Sequence, residues 1–235
     1  MRIPHVFLAI ILSTINTSYC MGADQPPPSA DRWEAAIQKF EAEDKQTPPL
    51  PGGVVIYGSS SAVKWKQYQK DLGDFPIINR GFGGSTLAEC ARYVQRAVVP
   101  CKPGILVFYG GDNDVSQKAK PAEVVASFQT MLSTLRKDVP GVKVIYISIK
   151  PAPKRLAQFE TLLKINALMK DLCQKGEGLY YVDIWSSMLG PDGVPIPDLF
   201  LDDHSHCNAK GYALWNSILK PQLDRIRAKP TDANK

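Results

Sequence analysis

Residues 53–61 read Gly-Val-Val-Ile-Tyr-Gly-Ser-Ser-Ser, an apolar run that ends abruptly in a glycine and three serines. A short apolar run without polar alternation is typical of a strand that is covered on both faces. Serine is a favoured helix-capping residue, so the three serines are expected to open a helix directly after this strand. A strand that passes straight into a helix favours the α/β class of folds.

The same pattern recurs along the rest of the chain. Further apolar runs bounded by glycine or proline lie at 76–79, 105–109, 142–149 and 179–184. Helical patterns are predicted at 31–44, 62–72, 86–98, 121–137, 156–175 and 208–227. This alternation predicts a three-layer α/β/α sandwich of the flavodoxin-like type, with a central, mostly parallel sheet of about five strands.

The apolar stripe of the helix at 156–175 is predicted to consist of five residues spaced along one face. They are Leu156, Phe159, Leu163, Leu168 and Leu172.

The ends of the chain read as segments outside the main domain. Residues 1–22 have a basic start and an apolar run that is too short to span a bilayer, which needs about 20 apolar residues. They predict a signal peptide and a secreted or periplasmic protein, with a retained membrane anchor as the alternative; Tyr19 argues against lipid modification of Cys20. Residues 23–50 are expected to form a linker and an N-terminal helix, 51–228 the main domain, and 229–235 a polar tail.

Charge and cysteine content limit the class of protein. The formal charge of +5 is spread along the 235 residues and is not gathered into a basic stripe, so no nucleic-acid partner is expected. Removal of the signal segment would leave Cys90, Cys101, Cys173 and Cys207. In an oxidising compartment these could form one or two disulfides, and buried free thiols are an equally good interpretation. Their spacing does not fit a paired zinc motif.

Chemistry-bearing residues follow three of the predicted strands. Ser60 lies where a helix N-terminus would offer free backbone N–H groups, although a simple capping turn fits the same residues. After the second strand, the turn at 79–86 is rich in glycine and could present N–H groups to an oxyanion, or could only satisfy backbone geometry. After the third strand comes Asp112-Asn113-Asp114, in which Asn113 is a candidate oxyanion donor. The two aspartates alone do not make a metal site.

Histidine is scarce, and this narrows the choice of a catalytic base. Apart from His5 in the signal segment, the chain has only His204 and His206. Both lie in a short polar segment just before the last helix. Asp203 and His206 are spaced so that the carboxylate can orient the imidazole, which can then accept the proton of a serine. Asp202 with His204 is the alternative pair.

These four segments, in this order, resemble the blocks of the SGNH hydrolase superfamily, also called GDSL-like lipases and acylhydrolases. The resemblance covers residues 54–215 and implies a serine esterase that needs no metal and no cofactor. It implies Ser60, Asp203 and His206 as the catalytic triad, and Ser60, Gly84 and Asn113 as the oxyanion hole, with Gly83 as the fallback glycine.

The sequence departs from the family pattern at two positions. Ser59 replaces the aspartate of the first block, which leaves Ser59 and Ser61 as alternative nucleophiles. Cys207 stands where the family usually has a proline.

The substrate is expected to be a short-chain acyl ester of a small molecule or saccharide, because no long apolar insertion is present to shelter an acyl tail. Trp65 and Arg80 are the predicted substrate contacts, with Lys150 and Arg155 as further polar residues near the strand ends. An acyltransferase with the same triad and a non-catalytic carbohydrate-binding relative are the alternatives.

Overall fold

The computed structural model describes residues 32–228. The expected signal peptide, the proline-rich part of the linker and the polar tail lie outside these residues. The five strands are β1 (Val54–Gly58), β2 (Ile77–Gly81), β3 (Ile105–Tyr109), β4 (Lys143–Ile147) and β5 (Leu179–Val182). The helices are α1 (Glu34–Gln46), α2 (Ser60–Lys64), α3 (Tyr68–Leu72), α4 (Leu87–Ala97), α5 (Asp112–Ser116), α6 (Pro121–Asp138), α7 (Phe159–Lys175) and α8 (Ala209–Ala228).

The strands form one parallel sheet in the order β2-β1-β3-β4-β5. From β1 the chain passes to β2 on one side of it. The chain then crosses to β3 on the other side of β1 and continues in that direction to β4 and β5. Such a reversal of strand order leaves a crevice beyond the carboxyl ends of the central strands, where ligands bind in open α/β sheets. The registers align Gly58 at the end of β1 with Gly81 of β2 and Tyr109 of β3.

Alternate residues of each central strand enter opposite cores, as a pleated strand requires. On β1, Val55 and Tyr57 belong to one core together with residues of α1, α4, α6 and α7. Val54 and Ile56 belong to the other core, together with residues of α2, α3 and α8. The predicted three-layer α/β/α sandwich is therefore confirmed.

The single helix predicted at 62–72 is instead two short helices, α2 and α3. Trp65 leaves helical geometry at the C-terminus of α2, with ψ of 77°. Its buried indole stacks on Tyr212 of α8 at 5.7 Å between ring centroids and donates a 2.7 Å hydrogen bond to Asp71. Packing of this large ring against α8, within one layer of helices, accounts for the break.

The prediction of which residues form the apolar stripe of the helix at 156–175 was wrong. Leu156, Leu163 and Leu168 are exposed, whereas Phe159 and Leu172 pack partly against the core. Residues Pro153–Gln158 form a 3-10 helix, so the α-helical register begins only at Phe159. The face turned to the sheet carries Leu162, Ile165, Asn166, Met169 and Cys173.

All four cysteines of the described region are buried and free. Of the two interpretations of these residues, the structure shows the buried thiols and not the disulfides. Among residues 32–228, no helix is long and apolar enough to cross a membrane.

Candidate active site

Ser60 lies at the N-terminus of α2, directly after β1. The turn requires Gly58, whose φ is 129° and where an added Cβ would lie 1.9 Å from the carbonyl oxygen of Tyr109. Ser59 and Ser61 are fully buried, whereas Ser60 is half-buried and lines a cleft. Of the three consecutive serines, Ser60 is therefore the one whose hydroxyl can meet a ligand.

His206 contacts Ser60 from the loop that precedes α8. Its Nε2 atom lies 2.8 Å from the Oγ of Ser60, and its Nδ1 atom lies 2.6 Å from Oδ2 of Asp203. The other carboxylate oxygen of Asp203 accepts the backbone N–H groups of Ser205 and His206, each at 2.9 Å. These contacts form a continuous chain of hydrogen bonds from carboxylate to imidazole to serine hydroxyl.

The surroundings of Asp203 favour its charged form. Partial burial alone would raise its pKa, but the hydrogen bonds from the side chain and backbone of His206 and from the backbone of Ser205 outweigh this effect. The pKa of Asp203 therefore lies well below the usual range, and the carboxylate is charged wherever the imidazole has to be oriented.

The alternative pair of Asp202 and His204 does not reach Ser60. His204 is exposed and has a φ of 53°, a left-handed conformation that the turn imposes. Its backbone N–H donates to Leu201, and its carbonyl accepts the N–H of Lys154 at 3.0 Å. The structure thus brings His206, and not His204, to the serine.

Gly84 and Asn113 line the same cleft as Ser60. Gly84 has a φ of 81°, which explains a glycine at this turn. The Nδ2 of Asn113 donates to the carbonyl oxygen of Ser85 at 3.0 Å. Since a side-chain amide has two N–H donors, one remains for a ligand. Gly83, the fallback glycine, also lies close, because an added Cβ there would be 3.7 Å from the Cβ of Ser60.

The two aspartates that flank Asn113 serve the protein's own structure. Asp114 accepts the N–H of Leu87 with both oxygens, at 3.0 and 3.1 Å, and so caps α4. Burial raises the pKa of Asp114 to about 6. Within residues 32–228, no three acidic, histidine or cysteine side chains are gathered in a way that could hold a metal ion.

Asp112 belongs to a buried network that joins the ends of three strands. The Nζ of Lys150, which follows β4, lies 3.2 Å from Oδ2 of Asp112 and 3.0 Å from both Ser61 Oγ and Tyr109 OH. Lys150 is 1% exposed, so its charge is compensated inside the protein. The network fixes the backbone next to Ser60 and Asn113. Lys150 was expected from the sequence as a polar residue near a strand end, but its partners were not.

The cleft has a volume of about 530 Å³, and every residue that lines it except Gly84 carries a polar or charged group. Besides the residues already described, it is lined by Ser116, Lys154, Arg155, Gln158 and Ser205. Three of these lie in the segment that follows β4. Of the five residues, only Arg155 was expected from the sequence. Lys154 and Gln158 could have been found from their position just after a parallel strand.

Trp65 and Arg80 were expected to contact substrate, and the structure corrects this expectation. Neither lines the cleft. Trp65 is buried between helices, and Arg80 is 3% exposed and forms ion pairs with Glu43 and Asp44 of α1. The guanidinium also lies 5.0 Å from the centre of the Phe40 ring. Arg80 therefore ties α1 to the edge of the sheet.

Solved structures share this fold at low sequence identity. A GDSL-like lipase from Bacteroides thetaiotaomicron aligns with a TM-score of 0.69 at 18% identity, covering 80% of this chain and 97% of the lipase. A carbohydrate esterase family 3 protein from Talaromyces cellulolyticus aligns with a TM-score of 0.61 at 21% identity, covering 75% and 98% of the two chains. A family 3 carbohydrate esterase from Clostridium thermocellum gives 0.59 at 14% identity, covering 76% and 98%.

The sequence itself identifies the family. No curated protein sequence matches the chain. The family model of the GDSL-like Lipase/Acylhydrolase family matches residues 51–214, from β1 through the polar segment that carries His206 and into the start of α8. This match confirms the resemblance inferred from the four sequence blocks. The chain therefore belongs to the GDSL-like Lipase/Acylhydrolase family of ester-hydrolysing enzymes.

Proposed function

We propose that the protein is an exported serine esterase that removes short acyl groups, such as O-acetyl groups on carbohydrate, with Ser60, His206 and Asp203 as its catalytic triad. The observation that carries the proposal is the chain of hydrogen bonds from Asp203 through His206 to Ser60, with distances of 2.6 and 2.8 Å. In this arrangement a weak nucleophile is activated by an adjacent base that a third group orients.

In the first half of the reaction, the Oγ of Ser60 attacks the carbonyl carbon of the ester. Its proton passes to Nε2 of His206, and Asp203 stabilises the resulting imidazolium. The charge that develops on the carbonyl oxygen is stabilised by the backbone N–H groups of Ser60 and Gly84 and by the Asn113 amide.

The tetrahedral intermediate then collapses. The bond between the carbonyl carbon and the alcohol oxygen breaks, and His206 donates the proton to the leaving alcohol. In the second half, water attacks the acyl-serine, and His206 takes the proton of that water and returns it to Ser60. The products are the free acid and the alcohol.

The lining of the cleft supports a short acyl group and a polar alcohol. The side chains around Ser60 are hydroxyl, amide, carboxylate, ammonium, guanidinium and imidazole groups, together with one glycine. A long acyl tail needs an apolar surface to bury its methylene groups, each worth about 0.8 kcal/mol. The carbohydrate esterases that share the fold are consistent with a saccharide ester.

Hydrolysis of p-nitrophenyl acetate, butyrate and octanoate, with Ser60→Ala as the background, tests the acyl preference. We expect kcat/KM to be highest for acetate and at least about tenfold lower for octanoate. Release of acetate from acetylated xylo-oligosaccharides tests the alcohol portion. A preference for octanoate would contradict the short-acyl assignment. Acetyl transfer to an added sugar that outpaces acetate release would favour an acyltransferase.

Export is tested separately, by expressing the full chain in a bacterium and sequencing the N-terminus of the protein recovered outside the cytoplasm. Cleavage near Ala23 is the expected result. Recovery of an uncleaved, membrane-bound chain would favour the anchor interpretation.

A further inference from the structure

Two cations line the cleft beside Ser60 without a carboxylate partner among the described residues. The Arg155 guanidinium donates only to neutral acceptors: Ser116 Oγ, Gln158 Oε1 at 3.1 Å and Asn113 Oδ1 at 3.5 Å. Lys154 is exposed at the same cleft, and no described side chain pairs with its ammonium group. By contrast, the cation beneath the cleft, Lys150, already forms an ion pair with Asp112 at 3.2 Å.

The charges around the cleft do not cancel. The charged groups that line it, or bond to a lining residue, are three cations and two carboxylates: Lys150, Lys154, Arg155, Asp112 and Asp203. With His206 neutral, as a base must be, one positive charge remains in excess. This excess suits a ligand with a single negative charge.

Arg155 is held in place before any ligand arrives. Its three neutral partners fix the guanidinium plane, so little side-chain freedom is lost on binding. Of the two N–H groups on Nη2, one donates to Asn113 and the other has no acceptor among the described residues. Arg155 therefore offers, at a fixed position, a donor and a charge that no described carboxylate contacts by a hydrogen bond.

The position of Lys154 indicates which part of the ester the cations meet. His206 must donate its proton to the leaving alcohol, so the alcohol lies on the His206 side of Ser60. The backbone N–H of Lys154 donates to the carbonyl of His204 at 3.0 Å, which ties Lys154 to the loop that carries His206. Lys154 therefore flanks the route of the alcohol portion, and Arg155, the next residue in the chain, lines the same cleft.

We propose that Lys154 and Arg155 form a recognition site for a carboxylate on the alcohol portion of the ester, so that the preferred substrates are acyl esters of acidic sugars. This inference rests on the proposed esterase function and names its substrate class. Opposite charges at the rim of a cleft interact modestly in water and are weakened by salt, so the site is expected to raise kcat/KM several-fold and not by orders of magnitude.

A matched pair of substrates tests the site. Methyl tri-O-acetyl glucuronoside is offered as the free acid and as the primary amide, which carries the same acetyl esters and no charge. Acetate release by the wild-type protein should give a kcat/KM at least about fivefold higher for the acid at low ionic strength. This ratio should fall towards one in about 0.5 M salt, where the screening length is only a few ångströms.

Substitutions locate the effect. Lys154→Gln should lower the acid-to-amide ratio about threefold, and Lys154→Gln with Arg155→Gln should bring it close to one. Lys164→Gln removes an exposed lysine of α7 that does not line the cleft, and should leave the ratio unchanged. Arg155→Gln alone is expected to slow both substrates, because Arg155 contacts Asn113, so the ratio and not the rate is the readout.

The outcomes separate this inference from the function on which it rests. Hydrolysis of both sugar esters at equal kcat/KM, or a ratio that the double substitution leaves intact, would overturn the carboxylate site and leave the esterase standing. Absence of turnover with both sugar esters and with p-nitrophenyl acetate would overturn the esterase proposal, and this inference with it.

Discussion

Nε2 of His206 lies 2.8 Å from Oγ of Ser60, although 146 positions separate the two residues in the chain. The contact joins the carboxyl end of β1 to the loop before α8. Its geometry depends on the turn that Asp203 holds, because this carboxylate accepts two backbone N–H groups of the loop as well as the imidazole.

Asp203→Asn is expected to lower kcat/KM for p-nitrophenyl acetate by roughly 10³-fold to 10⁴-fold. An amide oxygen can still accept the backbone N–H groups and keep the turn, but an amide cannot stabilise the imidazolium as a carboxylate does. Asp202→Asn is the matched control, since Asp202 is an exposed neighbour, whereas Asp203 is the carboxylate that contacts His206. A loss of less than tenfold in Asp203→Asn would contradict the assigned role.

Replacement of Asp114 should change how stability depends on pH. Burial raises the pKa of Asp114 from 3.8 to about 6 in the folded protein. A raised carboxyl pKa gives the folded state stability that is present below the unfolded pKa and is lost as pH rises through the folded pKa. The folded state is therefore expected to lose up to roughly 3 kcal/mol of unfolding free energy between about pH 4 and pH 6.

Asp114→Asn keeps an acceptor for the N–H of Leu87 but cannot ionise. Urea unfolding of both proteins from pH 4 to pH 7 should show the variant gaining stability relative to wild type as pH rises to about 6, with a constant difference above that. A difference that does not change with pH would show that Asp114 keeps an ordinary pKa.

Gly58→Ala should destabilise the protein by roughly 4 kcal/mol or prevent folding, because the new Cβ would lie 1.9 Å from a backbone oxygen at a φ of 129°. Gly141→Ala is the matched control. Gly141 also has a positive φ, of 77°, but nothing lies within 4 Å of its added Cβ. Gly141→Ala should lower the free energy of chemical unfolding by only about 1 to 2 kcal/mol. Equal costs at the two positions would argue against steric conflict behind Ser60.

The buried pair of Lys150 and Asp112 should behave as a unit. Lys150→Met leaves a carboxylate buried without its cation, which typically costs about 3–5 kcal/mol of unfolding free energy. Asp112→Asn leaves the cation alone, with a similar cost. The double variant buries no charge and should be destabilised by clearly less than the sum of the two. Additive costs in a urea-unfolding cycle would contradict direct coupling.

Much of the architecture could be predicted because local patterns determine it. Buried parallel strands are short apolar runs, and the run at Val54–Gly58 was visible together with its terminal glycine and serines. The scarcity of histidine pointed to the loop with His206 without any knowledge of the fold. The position of Asn113 at the cleft could be predicted because this residue lies shortly after a parallel strand.

The remaining features depend on packing between distant segments. Arg80 follows the apolar part of β2, yet acidic residues of α1 hold its side chain away from the cleft. Trp65 is buried by aromatic residues of α8 nearly 150 positions later in the chain. The stripe of α7 was misjudged because a 3-10 segment precedes the helix and the apolar residues occupy more than one face. None of these contacts is encoded in local spacing.

The most direct test of the central claim is labelling of the nucleophile by a p-nitrophenyl phosphonate, which phosphonylates an activated serine with release of p-nitrophenolate. Peptide mass mapping should find one modified residue, Ser60, in the wild-type protein. Ser60→Ala should carry no label at residues 59–61, and His206→Ala should be labelled far more slowly. A label on Ser59 or Ser61, or equal rates with and without His206, would contradict the account of Ser60 as a serine activated by His206.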